Sequence, residues 1–235
     1  MQLAAWHPTT LTDFPGRVAA VLFTAGCNFR CGFCHNPELV LPDRLASTPR
    51  LDEDHVLDEL ATRIGFIDGV VITGGEPTLH PDLGPFAERL HALGLAVKLD
   101  TNGTRPDIVL RLLERGLLDY VAVDAKAPQE RYAEFCGTSI SPSSVAETID
   151  ILRVSDIDFE VRTTVAPGLC SSDVEQIAAW VAPVPRFVLQ LFRVPEGGKA
   201  LLDPAWADRP APKPVDLREI WRKIAGRFPD GGVRA

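Results

Sequence analysis

The amino-acid sequence predicts an α/β fold, an open partial (β/α)6 barrel. Short apolar, β-branched segments alternate with amphipathic segments along the chain. Most of the apolar segments are almost continuously hydrophobic, which is typical of parallel strands covered by helices. Six such repeats are too few for the common closed barrel of eight strands, so an open, curved sheet fits better.

The predicted strands come first in each repeat. They cover residues 18–24, 70–73, 96–100, 120–124, 159–165 and 187–192. Helices are predicted at 54–64, 85–93 and 107–115, and the last two are each followed by a glycine that can end a helix. Two more helices are expected to begin at capping boxes, one formed by Ser144 and Glu147 and the other by Ser172 and Glu175.

The organisation of the chain is predicted to be one domain, residues 1–235. Its core spans about 10–192, and an extended segment and a helix follow over about 198–228. Prolines interrupt residues 203–215. The helix predicted at 216–225 carries Leu217, Ile220, Trp221 and Ile224 on one face, so we expect it to dock on the body.

The composition excludes several functional classes. The chain has 235 residues and a formal net charge of −8, which argues against a nucleic-acid partner held by phosphate contacts. No apolar run is long enough to span a bilayer, so no membrane partner is expected. Residues 1–8 lack the basic start and apolar stretch of a signal peptide, and we therefore expect a cytoplasmic protein.

Three cysteines carry the strongest functional signal. Cys27, Cys31 and Cys34 follow the first predicted strand with the spacing C-x₃-C-x₂-C. A closed structural zinc site takes four ligands, and an electron-transfer cubane is usually held by four thiolates. Three thiolates indicate a cubane with one iron free to bind a small molecule. Cys136 or Cys170 could supply a fourth ligand, although free cysteines are often small buried hydrophobes.

Polar residues at the ends of the predicted strands give a second signal. They are Gly74, Gly75 and Glu76, then Asp100, Thr101 and Asn102, then Asp124 and Lys126, and Arg162 within its strand. Each alone is weak, because paired glycines often form only a turn and an aspartate often caps a helix. Since ligands gather at the carboxyl ends of parallel strands, we expect these residues on the same rim as the cysteines.

These motifs resemble those of the radical S-adenosylmethionine (SAM) enzymes. The resemblance rests on the cysteine trio, with Phe33 before the last cysteine, and on the Gly-Gly-Glu-Pro run at 74–77, and it covers about residues 10–192. Within that superfamily, residues 12–17, 26–38 and 124–126 resemble the glycyl-radical-enzyme activases. The His-Asn-Pro-Glu run at 35–38 is close to the anaerobic ribonucleoside-triphosphate reductase activating proteins.

The resemblance implies a reaction. The three cysteines would hold a [4Fe–4S] cluster whose open iron chelates the amino and carboxylate groups of SAM. An electron from flavodoxin or ferredoxin would then split SAM into methionine and a 5′-deoxyadenosyl radical. That radical would take a hydrogen from one glycine of a partner glycyl-radical enzyme, most closely an anaerobic ribonucleotide reductase.

The resemblance also implies roles for individual residues. Phe33 and the backbone of His35 would lie near the adenine of SAM. Gly74 and Gly75 lack a Cβ atom, so the backbone could approach the methionine moiety closely. Glu76 would accept a hydrogen bond from the ammonium group of SAM.

The remaining implied SAM-binding residues are Asp100, Thr101, Asn102, Asp124, Lys126 and Arg162. Residues matching Asp100, Thr101 and Asp124 hold a monovalent cation in pyruvate formate-lyase activases, so the resemblance implies Na⁺ or K⁺ here. Lys126 and Arg162 would supply positive charge for the carboxylate and ribose region of SAM. The alternatives are a solvated loop lysine and an internal ion pair between Arg162 and one of these aspartates.

Two other functions stay open. The last predicted strand lacks the histidine with which pyruvate formate-lyase activases contact SAM, so Gln190 or Arg193 is the expected substitute. The missing histidine favours the reductase-activating branch over the pyruvate formate-lyase branch. The first alternative function is a radical SAM enzyme that acts on a small molecule, similar to carboxydeazaguanine synthase. The second is a metal-binding module without catalysis, in which Cys136 or Cys170 completes the ligand set.

Overall fold

The computed structural model describes residues 1–194, 201–211 and 213–234, and these build one curved sheet of eight strands in chain order. The strands are β1 (Leu3–Thr10), β2 (Ala19–Thr24), β3 (Gly69–Gly74), β4 (Ala96–Thr101), β5 (Tyr120–Asp124), β6 (Asp158–Val165), β7 (Arg186–Leu191) and β8 (Asp230–Arg234). Neighbours from β2 to β8 are parallel, and β1 is antiparallel to β2. In the described part of the chain, β1 and β8 do not pair with each other, so the barrel is open as predicted.

Eight α-helices accompany these strands in the described ranges. They are α1 (Pro42–Leu45), α2 (Glu53–Ala61), α3 (Leu83–Ala92), α4 (Pro106–Glu114), α5 (Tyr132–Cys136), α6 (Ser143–Arg153), α7 (Ser171–Val181) and α8 (Pro214–Ile224). None of the described helices has the length and apolar character that crossing a bilayer requires.

The six predicted strands correspond to β2 to β7, each within one residue at either end. The edge strands β1 and β8 were not predicted. β1 contains Trp6, His7 and Pro8 without regular alternation, and β8 begins Asp-Gly-Gly, which is a poor strand signal. Their strand conformation therefore comes from pairing with β2 and β7 rather than from local preference.

Both predicted capping boxes were wrong in position. α6 begins one residue earlier than Ser144, after Pro142, without a side-chain cap. α7 begins at Ser171, and its N-cap is Cys170, whose N–H donates to the Asp173 carboxylate at 2.9 Å. The acidic side chain three residues after the N-cap fixes where α7 begins, and the Ser172 box therefore does not form.

The two faces of the sheet differ in character. The outer positions pack beneath the helices in the main hydrophobic core. The inner positions near the strand N-termini form a smaller apolar cluster of Phe14, Ala19, Val21, Val71, Ala96 and Tyr120. Farther along the same inner face, buried charged residues replace apolar ones, as at Lys98 and Arg162. The barrel therefore has a charged rim, and its base combines the apolar cluster with the Glu160–Arg186 ion pair.

The segment after β7 binds back onto the cysteine loop. Pro204–Asp208 form a 3₁₀ helix instead of the predicted extended chain, because the Asp203 carboxylate accepts from the Ala205 N–H at 3.0 Å and caps this turn. Residues 198–200 and 212 of the predicted segment lie outside the described residues. α8 docks as expected, with Leu217 and Ile224 buried.

Candidate active site

A cavity of about 470 Å³ opens at the C-terminal ends of the parallel strands. The predicted site residues that line it are Cys27, Cys31, Phe33, Cys34, His35, Gly74, Gly75, Glu76, Asp100, Thr101, Asn102, Asp124 and Lys126. Gln190 and Arg193, the two substitutes considered for a missing histidine, line it as well. Arg162 lines an adjoining cavity of about 630 Å³, which shares His35, Asn36, Thr73, Asp100 and Gln190 with the first.

The three motif cysteines frame this cavity from one short loop. The loop turns tightly, because the Cys34 N–H donates to the Cys31 carbonyl at 2.9 Å. Burial raises the pKa of Cys27 to about 12 and also raises the pKa of Cys34. Thiolates at these positions therefore need a positively charged partner, as iron would be.

The arrangement of the thiols fits a cluster better than a single metal ion. Among the described residues, no three His, Cys, Asp or Glu side chains converge on one ion position. A cubane does not require such convergence, because each thiolate binds a different iron. The residues therefore fit a [4Fe–4S] cluster held by Cys27, Cys31 and Cys34, with the rest of the cavity beside it.

The segment after β7 supports the back of the cysteine loop. The Leu202 N–H donates to the Cys34 carbonyl at 3.1 Å, and the Asp203 N–H donates to the Gly32 carbonyl at 3.0 Å. The Trp206 indole lies directly against Gly32, where any Cβ atom would overlap it. Trp206 also packs on Phe33, with 5.5 Å between ring centroids. This contact was not predictable from the sequence, since nothing in the residue spacing links Trp206 to the loop.

The two cysteines outside the motif have different surroundings. Cys136 is buried in α5 beside Cys31, and this neighbouring thiol lowers the pKa of Cys31. The Cys136 carbonyl accepts from the Arg30 N–H at 2.7 Å, so α5 is attached to the cysteine loop. Cys170 is exposed at the start of α7, where its sulfur lies 3.1 Å from an Asp173 oxygen. Of the two, Cys136 is the one next to the trio.

The glycine pair joins the end of β3 to the start of the cysteine loop. Gly74 has a φ of +113°, which favours glycine. A Cβ atom on Gly75 would overlap the Gly26 carbonyl, and the Glu76 N–H donates to that same carbonyl at 2.7 Å. The space that the missing Cβ atoms leave is thus filled by the protein's own backbone, although both glycines line the cavity.

The Glu76 carboxylate is held in one orientation by the protein. Its Oε1 accepts from the Thr78 N–H at 3.0 Å, the Thr78 hydroxyl at 2.5 Å and the Thr101 hydroxyl at 2.7 Å. Its Oε2 accepts from the Asn102 N–H at 2.7 Å. Burial raises the pKa of Glu76, and these donors oppose that effect. A buried, oriented carboxylate of this kind is suited to a cationic ligand group.

A chain of amide and hydroxyl groups ties β4 to the cysteine loop. Asn102 Nδ2 donates to Asn28 Oδ1 at 2.8 Å, and Asn28 Nδ2 donates to the Thr104 hydroxyl at 2.7 Å. Asn102 Oδ1 accepts from that hydroxyl at 2.7 Å. The Asn102 side chain therefore links the end of β4 to the cysteine loop. Asn28 and Thr104 were not identified from the sequence, although Asn28 lies inside the cysteine motif.

Asp100 and Asp124 lie in a buried network of ion pairs. Arg162 NH1 contacts Asp100 Oδ2 at 2.9 Å, and Arg162 Nε contacts Asp124 Oδ1 at 3.0 Å. Lys126 Nζ contacts Asp124 Oδ2 at 2.8 Å, and Lys98 Nζ pairs with Asp100 Oδ1. Of the alternatives considered above, Arg162 forms the internal ion pair, and Lys126 is paired with Asp124 and only 18% exposed.

The network shifts the pKa values of its members. Burial alone would raise the pKa of Asp124, but Arg162 and Lys126 together hold that pKa well below its usual range. The pKa of Arg162 is raised by the two aspartates against the opposing effect of burial. Lys98 was missed in the sequence analysis. Its signal was the same as that of Arg162, a charged residue between apolar neighbours in a strand.

Comparison with known families finds one clear match. Residues 21–181 match the family described as the Radical SAM superfamily. A curated relative, "Putative glycyl-radical enzyme activating enzyme MJ1227" of Methanocaldococcus jannaschii, is 34% identical over 230 residues, which cover 94% of this chain and 90% of the relative. The 7-carboxy-7-deazaguanine synthase of Methanothermobacter thermautotrophicus is 32% identical over 139 residues, 58% of this chain and 53% of that protein.

Solved structures show the same fold at lower identity. SuiB of Streptococcus suis superposes with a TM-score of 0.70 and 13% identity, covering 92% of this chain and 48% of that chain. The chain therefore spans about half the length of that protein, and this likeness concerns the fold alone.

Proposed function

We propose that this chain, which belongs to the radical SAM superfamily, activates a partner enzyme by installing a glycyl radical on it. The family match makes the chain an enzyme of the radical SAM type. The observation that supports the activase function is the match to the M. jannaschii relative over nearly the full length of both chains.

The cofactors of this reaction are a [4Fe–4S] cluster and SAM. When bound and reduced, they supply a 5′-deoxyadenosyl radical that can abstract a hydrogen atom. Cys27, Cys31 and Cys34 hold the cluster in this proposal. The chain's other task is to place SAM and to keep water from the reacting atoms, which its buried rim is suited to do.

In this proposal Glu76 and the charged network bind different groups of SAM. Glu76 is positioned for the ammonium group, because its oxygens are buried and already oriented. Lys126 lines the cavity and provides positive charge for the SAM carboxylate. Phe33 and His35 also line the cavity, and we place the adenine beside them.

The adjoining cavity suits a peptide loop as the second substrate. Its lining includes neutral hydrogen-bonding side chains such as Thr9, Thr10 and Asn36. Its charged members are Asp13, Asp100 and Arg162. Asp100 and Arg162 are paired with each other, and the Asp13 carboxylate accepts from the Thr10 hydroxyl. Main-chain amides of a glycine-bearing loop require neutral donors and acceptors, so this composition favours a protein segment over a highly charged small molecule.

The partner in this proposal is an anaerobic ribonucleoside-triphosphate reductase. Its support is the His-Asn-Pro-Glu run at 35–38 and the absence of histidine in β7, where Gln190 lines the cavity instead. A flavodoxin or ferredoxin is the proposed electron donor.

A second candidate function is turnover of a small molecule, as in 7-carboxy-7-deazaguanine synthases. The match to one such enzyme supports it, but over only 58% of this chain. The activase proposal is preferred, because its supporting match extends over 94% of the chain.

The deciding experiment is anaerobic. The reconstituted, reduced protein is mixed with SAM and a candidate reductase, and 5′-deoxyadenosine is measured together with the electron paramagnetic resonance doublet of a glycyl radical. We expect both products, and neither with a Cys31→Ala variant. A reductase whose target glycine is replaced by alanine should give no doublet. Formation of the nucleoside without the doublet, together with turnover of a deazaguanine precursor, would favour the second function.

A further inference from the structure

The resemblance implied Na⁺ or K⁺ held by Asp100, Thr101 and Asp124, and the charged network does not fit that ion. We propose instead that Arg162 is the built-in cation of this site, so that SAM binding by this chain does not depend on a monovalent cation. The inference rests on the proposed function only through SAM binding and does not involve the partner enzyme.

The carboxylate oxygens that a cation would need are all in use. Asp100 Oδ1 pairs with Lys98, and Asp100 Oδ2 lies 2.9 Å from Arg162 NH1. Asp124 Oδ1 lies 3.0 Å from Arg162 Nε, and Asp124 Oδ2 lies 2.8 Å from Lys126 Nζ. A hard monovalent cation prefers such oxygens as ligands. At each of these oxygens it would compete with an ammonium or guanidinium group that already binds there.

The local charge also opposes a further cation. Two carboxylates face three cationic side chains in this network, which leaves an excess of one positive charge. Added Na⁺ would increase that excess in a buried region, where charge repulsion is poorly screened. The carboxylate of SAM would reduce it. The same excess that repels a metal ion therefore favours the ligand.

The fold holds Arg162 rigidly in this position. Arg162 lies directly opposite Asp124 in the β5–β6 register, and its guanidinium reaches past β5 to Asp100 on β4. Its side chain is 8% exposed and bonds both aspartates through different nitrogens. A guanidinium in such a two-sided contact is a preorganised positive group, whereas a bound ion exchanges with solvent.

The first test uses the reconstituted holoenzyme without any substitution. SAM binding is measured by equilibrium dialysis under anaerobic conditions, at constant ionic strength, in tetramethylammonium, sodium or potassium chloride. We expect the three dissociation constants to agree within about twofold. Affinity that rises about tenfold or more on addition of Na⁺ or K⁺ would overturn the inference.

The second test creates the cation site. Arg162→Ala frees one oxygen on each aspartate and leaves space between them. We expect SAM affinity to fall about tenfold or more in tetramethylammonium and to recover partly in Na⁺ or K⁺. Arg162→Lys should remain independent of the cation. Arg186→Ala removes another inward arginine, paired with Glu160 at the barrel base, and should show no cation dependence.

The outcomes separate this inference from the proposed function. Cation-independent SAM binding and nucleoside formation, without a glycyl radical in any reductase, would leave Arg162 in its role and reject the activase. Cation-dependent SAM binding with a normal glycyl doublet would reject the role of Arg162 and support the activase function. If Arg162→Ala loses affinity equally in all three salts, the residue only stabilises the fold and the inference fails. Melting temperatures of the variants show whether each one is folded.

Discussion

The buried carboxylates at the rim of the barrel interior are paired more completely with cationic side chains than the carboxylate at its base. At the rim, every carboxylate oxygen of Asp100 and Asp124 has a cationic partner. At the base, Glu160 Oε2 lies 3.1 Å from Arg186 Nε, but Glu160 Oε1 is buried and accepts no hydrogen bond from the described residues. Glu160 and Arg162 lie two positions apart on the same strand and face, so the difference is not a consequence of the fold alone.

The difference shows that the protein fixes the positions of its charged groups at the rim more completely than at the base. A buried carboxylate oxygen without a donor carries a desolvation cost of about 1–3 kcal/mol, which the base tolerates. The apolar side chains of Phe14 and Tyr120 pack together at that end. At the rim, full pairing fixes the positions of the charges before a ligand arrives, which is what electrostatic preorganisation requires.

The largest expected effect comes from removing a thiol of the cysteine loop at the rim. Cys31→Ala removes one of the three thiolates, so we expect the anaerobically reconstituted variant to lose its iron and its visible absorption. Cys170→Ala is the matched control, because Cys170 is exposed and lies at the start of α7. It should retain both. Equal iron loss in the two variants would show that the C-x₃-C-x₂-C loop is not the cluster site.

A smaller effect, on SAM affinity, is expected to distinguish the two buried glutamates Glu76 and Glu160. Glu76→Gln keeps the shape of the rim residue but removes the charge that its donors orient, so SAM affinity should fall about 10- to 100-fold. Glu160→Gln makes the same change at the base, where SAM affinity should stay within about twofold of the wild type. Calorimetric or dialysis measurements of SAM binding to the reconstituted variants test this. A comparable loss in Glu160→Gln would mean that the base contributes to binding.

The sequence alone predicted the parallel strands and most of the rim. Apolar strands and the polar residues that end them have local signals, so β2 to β7 and the residues lining the cavity could be identified. β1 and β8 could not, because their strand character comes from edge pairing. The same holds for Trp206, whose contact with Gly32 joins positions far apart in the chain.

Charge pairing was the part of the site that sequence could not resolve. Lys98, Asp100, Asp124 and Arg162 were visible as charged residues in apolar strands, but their partners depend on strand order and register. Without the strand register, the same residues were compatible both with an oxygen-rich cation site and with a closed network of ion pairs. The role of Cys136 was equally hidden, since only the fold brings α5 next to the cysteine loop.

The smallest expected effect concerns Cys136, which lies just behind the rim. Its thiol adjoins Cys31 and its carbonyl binds the Arg30 N–H, so the structure makes it a support of the loop. Cys136→Ala keeps the backbone contact and removes only the thiol. We expect normal iron content and SAM cleavage, with a loss of unfolding free energy of about 1 kcal/mol. Iron loss as complete as in Cys31→Ala would instead make Cys136 a fourth ligand. In that case no iron would be open to SAM, and the preorganised rim would need another explanation.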